Sequence, residues 1–347
     1  MRVVFIDDGV NINFIQADKN CVRIKGSYTV VNDNVVPNEE NCIEITHSSI
    51  CTRIFTEEVK SSCDIFFIKI LDKRTLRGSI HSLAVALEWC LLNHIDVINL
   101  SLGTTNIKEA GLLQEIVEKL VRNHVVIIAA SSNNNYLTYP AALKNIIGVK
   151  ALNSANMDYP SDCFICGVPH REYSYNEKYV RTESYNSFAA PVITAKVCDC
   201  ISNGIKDVDD IKKYLLRNNV AYTYKTSKYL KNIKPTMLLD FDKKDNHIED
   251  VLYTLEFFSD KGFYGICLSD SLLSDLAHGI VNIWDVELDI EDVRKRLSYL
   301  TSYVDGDFII WLMDKNEIGK TNLSTVDIII DEVVTEETLN KILKELT

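Results

Sequence analysis

The sequence predicts an α/β protein: a doubly wound, mostly parallel sheet followed by a second, small α/β or α+β C-terminal domain. Two observations support this prediction. Short, continuous apolar runs recur along the N-terminal part of the chain, which is typical of strands buried on both faces. Helical stretches separate these runs, and this alternation is characteristic of parallel strands with helices on both faces of the sheet.

Each predicted strand of the first unit is an apolar run that ends at polar residues or glycine. These strands lie at residues 3–6, 64–71, 96–101, 125–130 and 146–151, with weaker strands within 22–36. Helices are predicted at residues 44–55, 82–94, 188–201 and 208–217, and a helical apolar stripe runs through 112–121. Because parallel strands end at one edge of a sheet, we expect the polar residues that follow them to converge there.

A change of pattern predicts two folding units. Residues 1–222 form the first unit. Residues 223–246 are interpreted as a linker, because lysines recur there and Pro235 follows them. Residues 247–347 form the second domain, for which the pattern predicts alternating strands and helices. A chain of 347 residues is long enough to bury more than one core.

Composition excludes several classes of protein. The net charge of −12 argues against a nucleic-acid binder and favours basic or neutral partners. No run of 18 apolar residues occurs, so we expect no membrane span. The chain passes from Met1 directly into a strand pattern, so we expect no signal peptide and no propeptide. Ten cysteines without an export signal then predict reduced thiols and a cytoplasmic location. No metal site and no cofactor are predicted.

Three residues of the types needed for acyl transfer occur in the order Asp7, His47, Ser187. A serine hydroxyl becomes nucleophilic when an imidazole takes its proton, and a carboxylate orients that imidazole. Ser187 lies in the first turn of a predicted helix, where free N–H groups suit a developing oxyanion. Asp8 is the alternative carboxylate, because it also follows the first strand.

Five segments match motifs of one family in the correct order. Asp96-Val-Ile-Asn-Leu-Ser-Leu-Gly103 resembles D-V-I-N-M-S-L-G, and Asn186-Ser-Phe-Ala-Ala-Pro191 resembles T-S-M-A-[AS]-P. The other matches are Phe5–Gly9, Val125–Asn133 and Tyr139–Ala141. On these motifs, residues 1–222 resemble a subtilisin-like serine protease (subtilase), whose triad follows the same chain order.

The resemblance implies a subtilisin-like fold and a role for each matched residue. Asp7, His47 and Ser187 would form the triad, and Asn133 would bind the oxyanion, with Asn134 as the alternative. The substrate-binding residues that the resemblance implies are Ser101, Leu102, Gly103, Ala130, Ser131, Ser132 and Thr138. Thr138 would lie near the floor of the pocket for the residue before the scissile bond.

Three departures from the family pattern leave a second interpretation open. Ser48, Ser132 and Tyr185 stand where the family has glycine. The main hypothesis is a serine endopeptidase with a peptide or protein substrate, such as a selective cytosolic protease that removes a leader from a peptide. The alternative is a pseudoprotease that binds peptides without cleaving them. The C-terminal domain would dock the substrate or a partner, or else complete the protease core.

Overall fold

The computed structural model describes most of the chain. It covers residues 1–15, 21–38, 42–133, 137–151, 164–182, 184–218, 236–241, 248–261, 263, 265–269, 280–282, 290–303, 307–314, 326–330 and 333–346. Asn134 and residues 223–235 and 242–246 of the predicted linker lie outside these ranges. In the part of the chain that is described, no helix combines the length and the apolar character needed to cross a membrane.

An eight-stranded sheet forms the centre of the first unit. Its strands in chain order are β1 (Arg2–Asp7), β2 (Val22–Val31), β3 (Asn34–Pro37), β4 (Cys63–Lys69), β5 (Val97–Leu100), β6 (Val126–Ala130), β7 (Ile147–Ala151) and β8 (Phe164–Gly167). They lie in the order β3-β2-β4-β1-β5-β6-β7-β8, and only the β2–β3 pair is antiparallel. The predicted mostly parallel sheet is therefore confirmed.

Helices cover both faces of this sheet. They are α1 (Ile12–Ile15), α2 (His47–Glu58), α3 (Ile80–Leu92), α4 (Ile107–Arg122), α5 (Asn186–Ser202) and α6 (Val208–Asn218). Alternate residues of β1 show the two layers: Val3 and Phe5 pack with α2 and α5, whereas Val4 and Ile6 pack with α3 and α4. The inner strands β1, β5 and β6 are thus buried on both faces, which explains their continuous apolar runs.

A short hairpin precedes α5 and was not predicted from the sequence. Its strands are β9 (Glu172–Tyr175) and β10 (Lys178–Arg181), which pair antiparallel. The two turn residues, Asn176 and Glu177, both have positive φ angles, as a tight hairpin turn requires. Four-residue strands with charged ends give neither an apolar run nor a clear alternation, so the pattern contained no signal for them.

The second unit is a five-stranded parallel sheet with its own helices. Its strands are β11 (Thr236–Phe241), β12 (Gly265–Ser269), β13 (Ile280–Asn282), β14 (Phe308–Asp314) and β15 (Ile328–Ile330), in the order β13-β12-β14-β11-β15. The helices are α7 (Ile248–Asp260), α8 (Ile290–Tyr303) and α9 (Glu336–Leu346).

One of these strands corrects the sequence analysis. Strand β11 falls inside residues 223–246, which the lysine spacing and Pro235 led us to interpret as a linker. It pairs with β14 on one side and β15 on the other, so it is an inner strand of the second sheet. The apolar run of Met237, Leu238 and Leu239 was too short to stand out beside the lysines that precede it.

The two sheets share part of one hydrophobic core. Ile266 of β12, Leu300 of α8 and Trp311 of β14 belong to the same buried cluster as the residues of α3 and α4. The backbone N–H of Lys144 donates to the carbonyl of Tyr303 at 3.0 Å, and the Lys144 ammonium donates to two further carbonyls of α8. The second unit therefore packs on the layer formed by α3 and α4.

Candidate active site

Three side chains from three elements form one hydrogen-bonded relay. Asp7 is the last residue of β1, His47 is the first residue of α2, and Ser187 is the second residue of α5. The Nδ1 atom of His47 lies 2.9 Å from Oδ2 of Asp7, and its Nε2 atom lies 3.0 Å from Oγ of Ser187. The fold thus brings together, at hydrogen-bond distance, the three residues that the sequence analysis selected.

The neighbouring carboxylate, Asp8, contacts the start of α2 instead of the imidazole. Its Oδ2 accepts a hydrogen bond from the backbone N–H of His47 at 3.1 Å, and its Oδ1 accepts one from Ser48 at 2.9 Å. Thr46 caps the next N–H, that of Ser49, at 3.1 Å. Asp8 therefore satisfies N–H groups that a helix start leaves without partners, and it anchors the helix that carries His47.

Burial and charge shift the pKa values of both groups beside Asp7. Burial raises the pKa of Asp8, and repulsion from Asp7 adds to this, so that the pKa of Asp8 lies at about 6. Burial alone would lower the pKa of His47, but the charge of Asp7, the neighbouring Cys51 and the hydrogen bonds to both outweigh it, so the pKa of His47 lies well above its ordinary value. Asp7 therefore stabilises the imidazolium that forms when His47 accepts a proton.

A buried thiol lies against the imidazole. The Sγ atom of Cys51 is 3.9 Å from Nε2 of His47 and 3.5 Å from the carbonyl oxygen of Ser187. Among the described residues, the ligand atoms of Asp7, His47 and Cys51 lie within 4.8 Å of one another, so these groups are able to hold a cation. A cation there would have to replace the hydrogen bond between Asp7 and His47.

A buried asparagine, Asn186, joins the nucleophile helix to the segment that follows β6. Its backbone N–H donates to Oδ1 of Asn133 at 2.8 Å, which leaves the NH2 end of the Asn133 carboxamide available to a ligand. Its side-chain NH2 donates to the carbonyls of Ser131 and Ser132 at 3.2 and 2.8 Å. Its Oδ1 accepts from the backbone N–H of Ala151 at 2.7 Å. One side chain thus fixes the segment that presents Asn133.

Further contacts hold the two predicted pocket walls together. The hydroxyl of Ser101 donates to the carbonyl of Ser187 at 2.8 Å, so the residue that follows β5 contacts the backbone of Ser187. Thr138 accepts from the backbone N–H of Ser132 at 2.8 Å. A Cβ atom on Gly103 would lie only 2.5 Å from the Thr138 methyl group, so this close contact requires glycine.

The remaining residues predicted to bind substrate lie on the same edge of the sheet. Leu102 is partly buried and packs against the core on the α3 and α4 side. Ala130 is the buried last residue of β6, directly before the segment that Asn186 holds. Asn134, the alternative to Asn133, lies outside the described residues.

Sequence reasoning missed a buried polar network that reaches the backbone of Ser187. The hydroxyl of Thr194 on α5 donates to Oδ1 of Asn99 at 2.8 Å, and the Asn99 NH2 donates to the Ser101 hydroxyl at 3.1 Å. The Ser101 hydroxyl in turn holds the Ser187 carbonyl. Asn99 within an apolar strand was the available signal, because a buried amide needs partners.

The comparison with protein families decides which one the chain belongs to. The model described as the subtilase family matches residues 3–235. The chain belongs to the subtilase family. This match covers the whole eight-stranded sheet and all three relay residues.

Several bacterial subtilases are similar to parts of the chain. A minor extracellular protease, Epr, of Bacillus subtilis (strain 168) is 32% identical over 101 residues, which cover 28% of this chain and 15% of that relative. Subtilisin of Bacillus pumilus is 29% identical over 167 residues, covering 45% of this chain and 58% of the relative. The chain thus spans less than two thirds of the length of each relative.

Two solved protease structures are similar to part of the chain. One is the prenylagaramide maturation protease PagA, with a TM-score of 0.47 and 18% identity, covering 62% of this chain and 82% of that one. Another is a serine-to-alanine mutant of the protease domain of PatA, with a TM-score of 0.48 and 17% identity, covering 62% of this chain and 86% of that one.

The glycine replacements are accommodated in this subtilase without backbone strain at two of the three positions. Tyr185 has a φ of −86°, which any residue adopts, and it serves as the N-cap of α5. Its ring lies 6.3 Å from that of Phe188, whose ring lies 5.1 Å from the imidazole of His47. Ser48 lies within regular α2, where glycine is not needed. Tyr185 adds an aromatic surface beside the triad.

Proposed function

We propose that this subtilase is a serine endopeptidase that hydrolyses peptide bonds through an acyl-enzyme. The observation that supports this most directly is the relay of Asp7, His47 and Ser187, with distances of 2.9 and 3.0 Å. In the proposed mechanism Ser187 is the nucleophile, His47 is the general base and then the general acid, and Asp7 orients the imidazole.

The proposed reaction has two halves. Oγ of Ser187 forms a bond to the carbonyl carbon of the substrate while its proton passes to Nε2 of His47. The resulting oxyanion is bound by the NH2 group of Asn133 and by the backbone N–H of Ser187, which has no acceptor within the first turn of α5. The C–N bond then breaks and the amine leaves with the proton from His47. Water hydrolyses the ester by the same steps in reverse.

The proposed substrate is an extended peptide. Its backbone would pair with the segment of Ser101, Leu102 and Gly103, a form of recognition that needs no particular side chain. The wall formed by Ala130, Ser131 and Ser132, with Thr138 at the floor, has no charged member, which favours an uncharged side chain before the scissile bond. We further propose a selective cytosolic role such as leader removal, with the second unit contributing to substrate choice.

The second candidate function is a pseudoprotease that binds peptides. It is favoured by the residues that replace glycine, above all Tyr185, which is 44% exposed beside the triad. A bulky ring at that position reduces the space for a substrate. This candidate predicts peptide binding of normal affinity without turnover.

Digestion of an unbiased peptide library separates the two functions. The wild-type protein and Ser187→Ala are incubated with the same library, and the products are sequenced by mass spectrometry. The endopeptidase predicts cleavage products with wild type that are absent with Ser187→Ala. An identical product spectrum, or no products from either protein, would contradict the proposal.

A further inference from the structure

A basic loop, residues 69–78, lies beside the triad of this acidic protein. It contains four basic residues (Lys69, Lys73, Arg74 and Arg77) and one acidic residue, Asp72. The chain as a whole has 49 acidic and 37 basic residues. The loop is therefore positive where the average charge of the protein is negative.

Two contacts fix the basic loop next to the triad. Lys69, at the end of β4, is in register with Asp7, and the backbone N–H groups of Ile70 and Leu71 donate to the carbonyl of Asp7 at 2.9 and 3.1 Å. Lys73 forms a salt bridge of 3.5 Å with Glu44, which precedes His47 by three residues. The basic loop is thus attached both to the strand that ends at Asp7 and to the segment that leads to His47.

The conformation of the loop is held by its own backbone and by Asp72. The Asp72 carboxylate accepts hydrogen bonds from the backbone N–H groups of Arg74 and Thr75 at 3.1 and 2.9 Å. The Asp72 N–H donates to the carbonyl of Arg77 at 2.9 Å, which closes the turn. A Cβ atom on Gly78 would lie 2.7 Å from the carbonyl oxygen of Ile70, so the end of the loop packs closely against its beginning.

Two guanidinium groups project from this ordered turn. Arg74 and Arg77 are exposed, and neither forms a salt bridge with any residue that the structure describes. Lys73, by contrast, is already paired with Glu44. An arginine side chain presents several N–H donors in a planar fork that matches a carboxylate. Arg74 and Arg77 are therefore suited to bind acidic side chains.

We propose that the basic loop binds acidic residues of the peptide substrate close to the scissile bond. This inference rests on the proposed function and names a substrate class for the same cleft. The negative net charge of the protein does not prevent this binding. Charges farther away than about 10 Å are screened at 0.1 M salt, whereas the carboxylates of a peptide bound at the loop lie within that distance of the arginines. The loop also guides such a peptide toward the triad through its local positive field.

The test compares paired peptides and charge-matched variants. A peptide cleaved by the wild-type protein is made with two aspartates near the cleavage site, outside the position directly before the scissile bond, and, as its partner, with two asparagines at the same positions. The variant R74Q/R77Q removes both exposed guanidinium groups. The control R122Q/K213Q removes the same net charge from α4 and α6, where both residues are exposed and lie in other salt bridges.

With the wild-type protein at low salt, we expect kcat/KM for the aspartate peptide to exceed that for the asparagine peptide by about fivefold to tenfold, mainly through KM. The ratio of kcat/KM for the aspartate peptide to that for the asparagine peptide should fall as salt is added. This ratio should return to one in R74Q/R77Q but not in R122Q/K213Q. Equal kcat/KM for the two peptides would overturn the inference while leaving the proposed hydrolysis intact. The same follows if both double variants lose the preference for the aspartate peptide to the same extent.

A binding measurement keeps the inference testable independently of catalysis. In the Ser187→Ala background, fluorescence anisotropy gives the affinity for labelled aspartate and asparagine peptides. Tighter binding of the aspartate peptide that depends on Arg74 and Arg77 supports the inference even if the wild-type protein cleaves nothing, a result that would refute only the proposed function. Equal affinities would refute the inference.

Discussion

At the scale of single residues, two adjacent carboxylates have different tasks because they face different partners. Asp7 contacts the imidazole of His47, whereas Asp8 accepts hydrogen bonds from the first N–H groups of α2. The helix end favours a negative charge, yet burial and the nearby charge of Asp7 keep the pKa of Asp8 at about 6. Asp7 therefore sets the charge of the imidazole, and Asp8 sets its position.

The raised pKa of His47 predicts an alkaline activity profile. The general base must be neutral, so kcat/KM should rise with pH and reach half its maximum above the ordinary histidine value of 6.5. Because Asp7 stabilises the protonated ring, Asp7→Asn should move this midpoint to lower pH while reducing the rate. Asp8→Asn is the control, since Asp8 titrates at about 6. If Asp8→Asn shifts the pH midpoint of kcat/KM and Asp7→Asn does not, the assignment of His47 as the base is wrong.

Removing the proposed oxyanion donor should affect the reaction much more than binding. We expect Asn133→Ala to lower kcat by about a hundredfold to a thousandfold with little change in KM, because the donor acts on charge that develops in the transition state. Steady-state kinetics on one cleaved peptide measure both parameters. A large effect of Asn134→Ala with none of Asn133→Ala would show that the assignment is displaced by one residue.

The residues that we propose for the chemistry could be selected from the sequence, whereas the residues that hold them in place could not. Asp7, His47 and Ser187 stood out because each combined a reactive side chain with a recognisable neighbourhood. Asn186 did not, because its task depends on contacts with Ser132 and Ala151, from two other parts of the chain. Such contacts arise only from tertiary packing.

At the scale of elements, α5 is the part of the molecule on which the site is built. It carries Ser187 at its start and packs on β5, β6, β7 and β8 and against α2. Asn186 adds hydrogen bonds to the pocket wall, and Thr194 adds one to Asn99 on β5. A shift of α5 would therefore displace Ser187 and the proposed oxyanion site together.

Asn186→Ala should loosen this connection. The variant loses the bonds to the carbonyls of Ser131 and Ser132 and leaves the N–H of Ala151 without its acceptor. We expect the free energy of unfolding to fall by about 1–3 kcal/mol. We also expect kcat to fall, because Asn133 is no longer presented by a fixed wall. Denaturant unfolding and steady-state kinetics measure these effects.

Asn34→Ala is the matched control, because Asn34 makes one exposed hydrogen bond to the carbonyl of Asn32. It should change neither stability nor kcat appreciably. If Asn186→Ala has the same kcat as Asn34→Ala, the segment of Ser131 and Ser132 is held in place by other contacts.

Long elements with an apolar pattern were the predictable ones. The strands β1, β4, β5, β6 and β7 were predicted because each is mostly buried and contains a short apolar run. The helix α2 was predicted to begin at residue 44, but it begins at His47, because Thr46 and Asp8 cap it there. The start of a helix depends on which N–H groups find acceptors, and Asp8 is remote in sequence.

At the scale of the whole molecule, the second unit behaves as part of the same core. Leu297 and Leu300 of α8 lie in one buried cluster with residues of α3 and α4, and the Tyr299 ring lies 6.2 Å from that of Tyr139. Tyr139 is in turn paired through its backbone with Thr104, beside the pocket wall. This arrangement gives the second unit a supporting role in the core, in addition to its proposed contribution to substrate choice. The sequence could not distinguish these roles, because apolar residues of both units look alike.

Shortening a core side chain of α8 should therefore destabilise the first unit as well. We expect Leu300→Ala to lower the free energy of unfolding by about 2–5 kcal/mol. Hydrogen exchange should show faster exchange in β5 and β6. The control is Leu339→Ala on α9, in the separate core of the second sheet, which should accelerate exchange mainly there. Unchanged exchange in the first sheet with Leu300→Ala would indicate that the two units unfold independently.

The central claim is that Ser187 is a nucleophile activated by His47, and covalent labelling tests it most directly. The folded protein is treated with a fluorophosphonate probe, and the adduct is located by peptide mass spectrometry. The account predicts a single adduct on Ser187 in the wild-type protein, none in Ser187→Ala, and labelling of His47→Ala slowed by about a thousandfold or more. An adduct on another residue, or an unlabelled but folded wild-type protein, would contradict it.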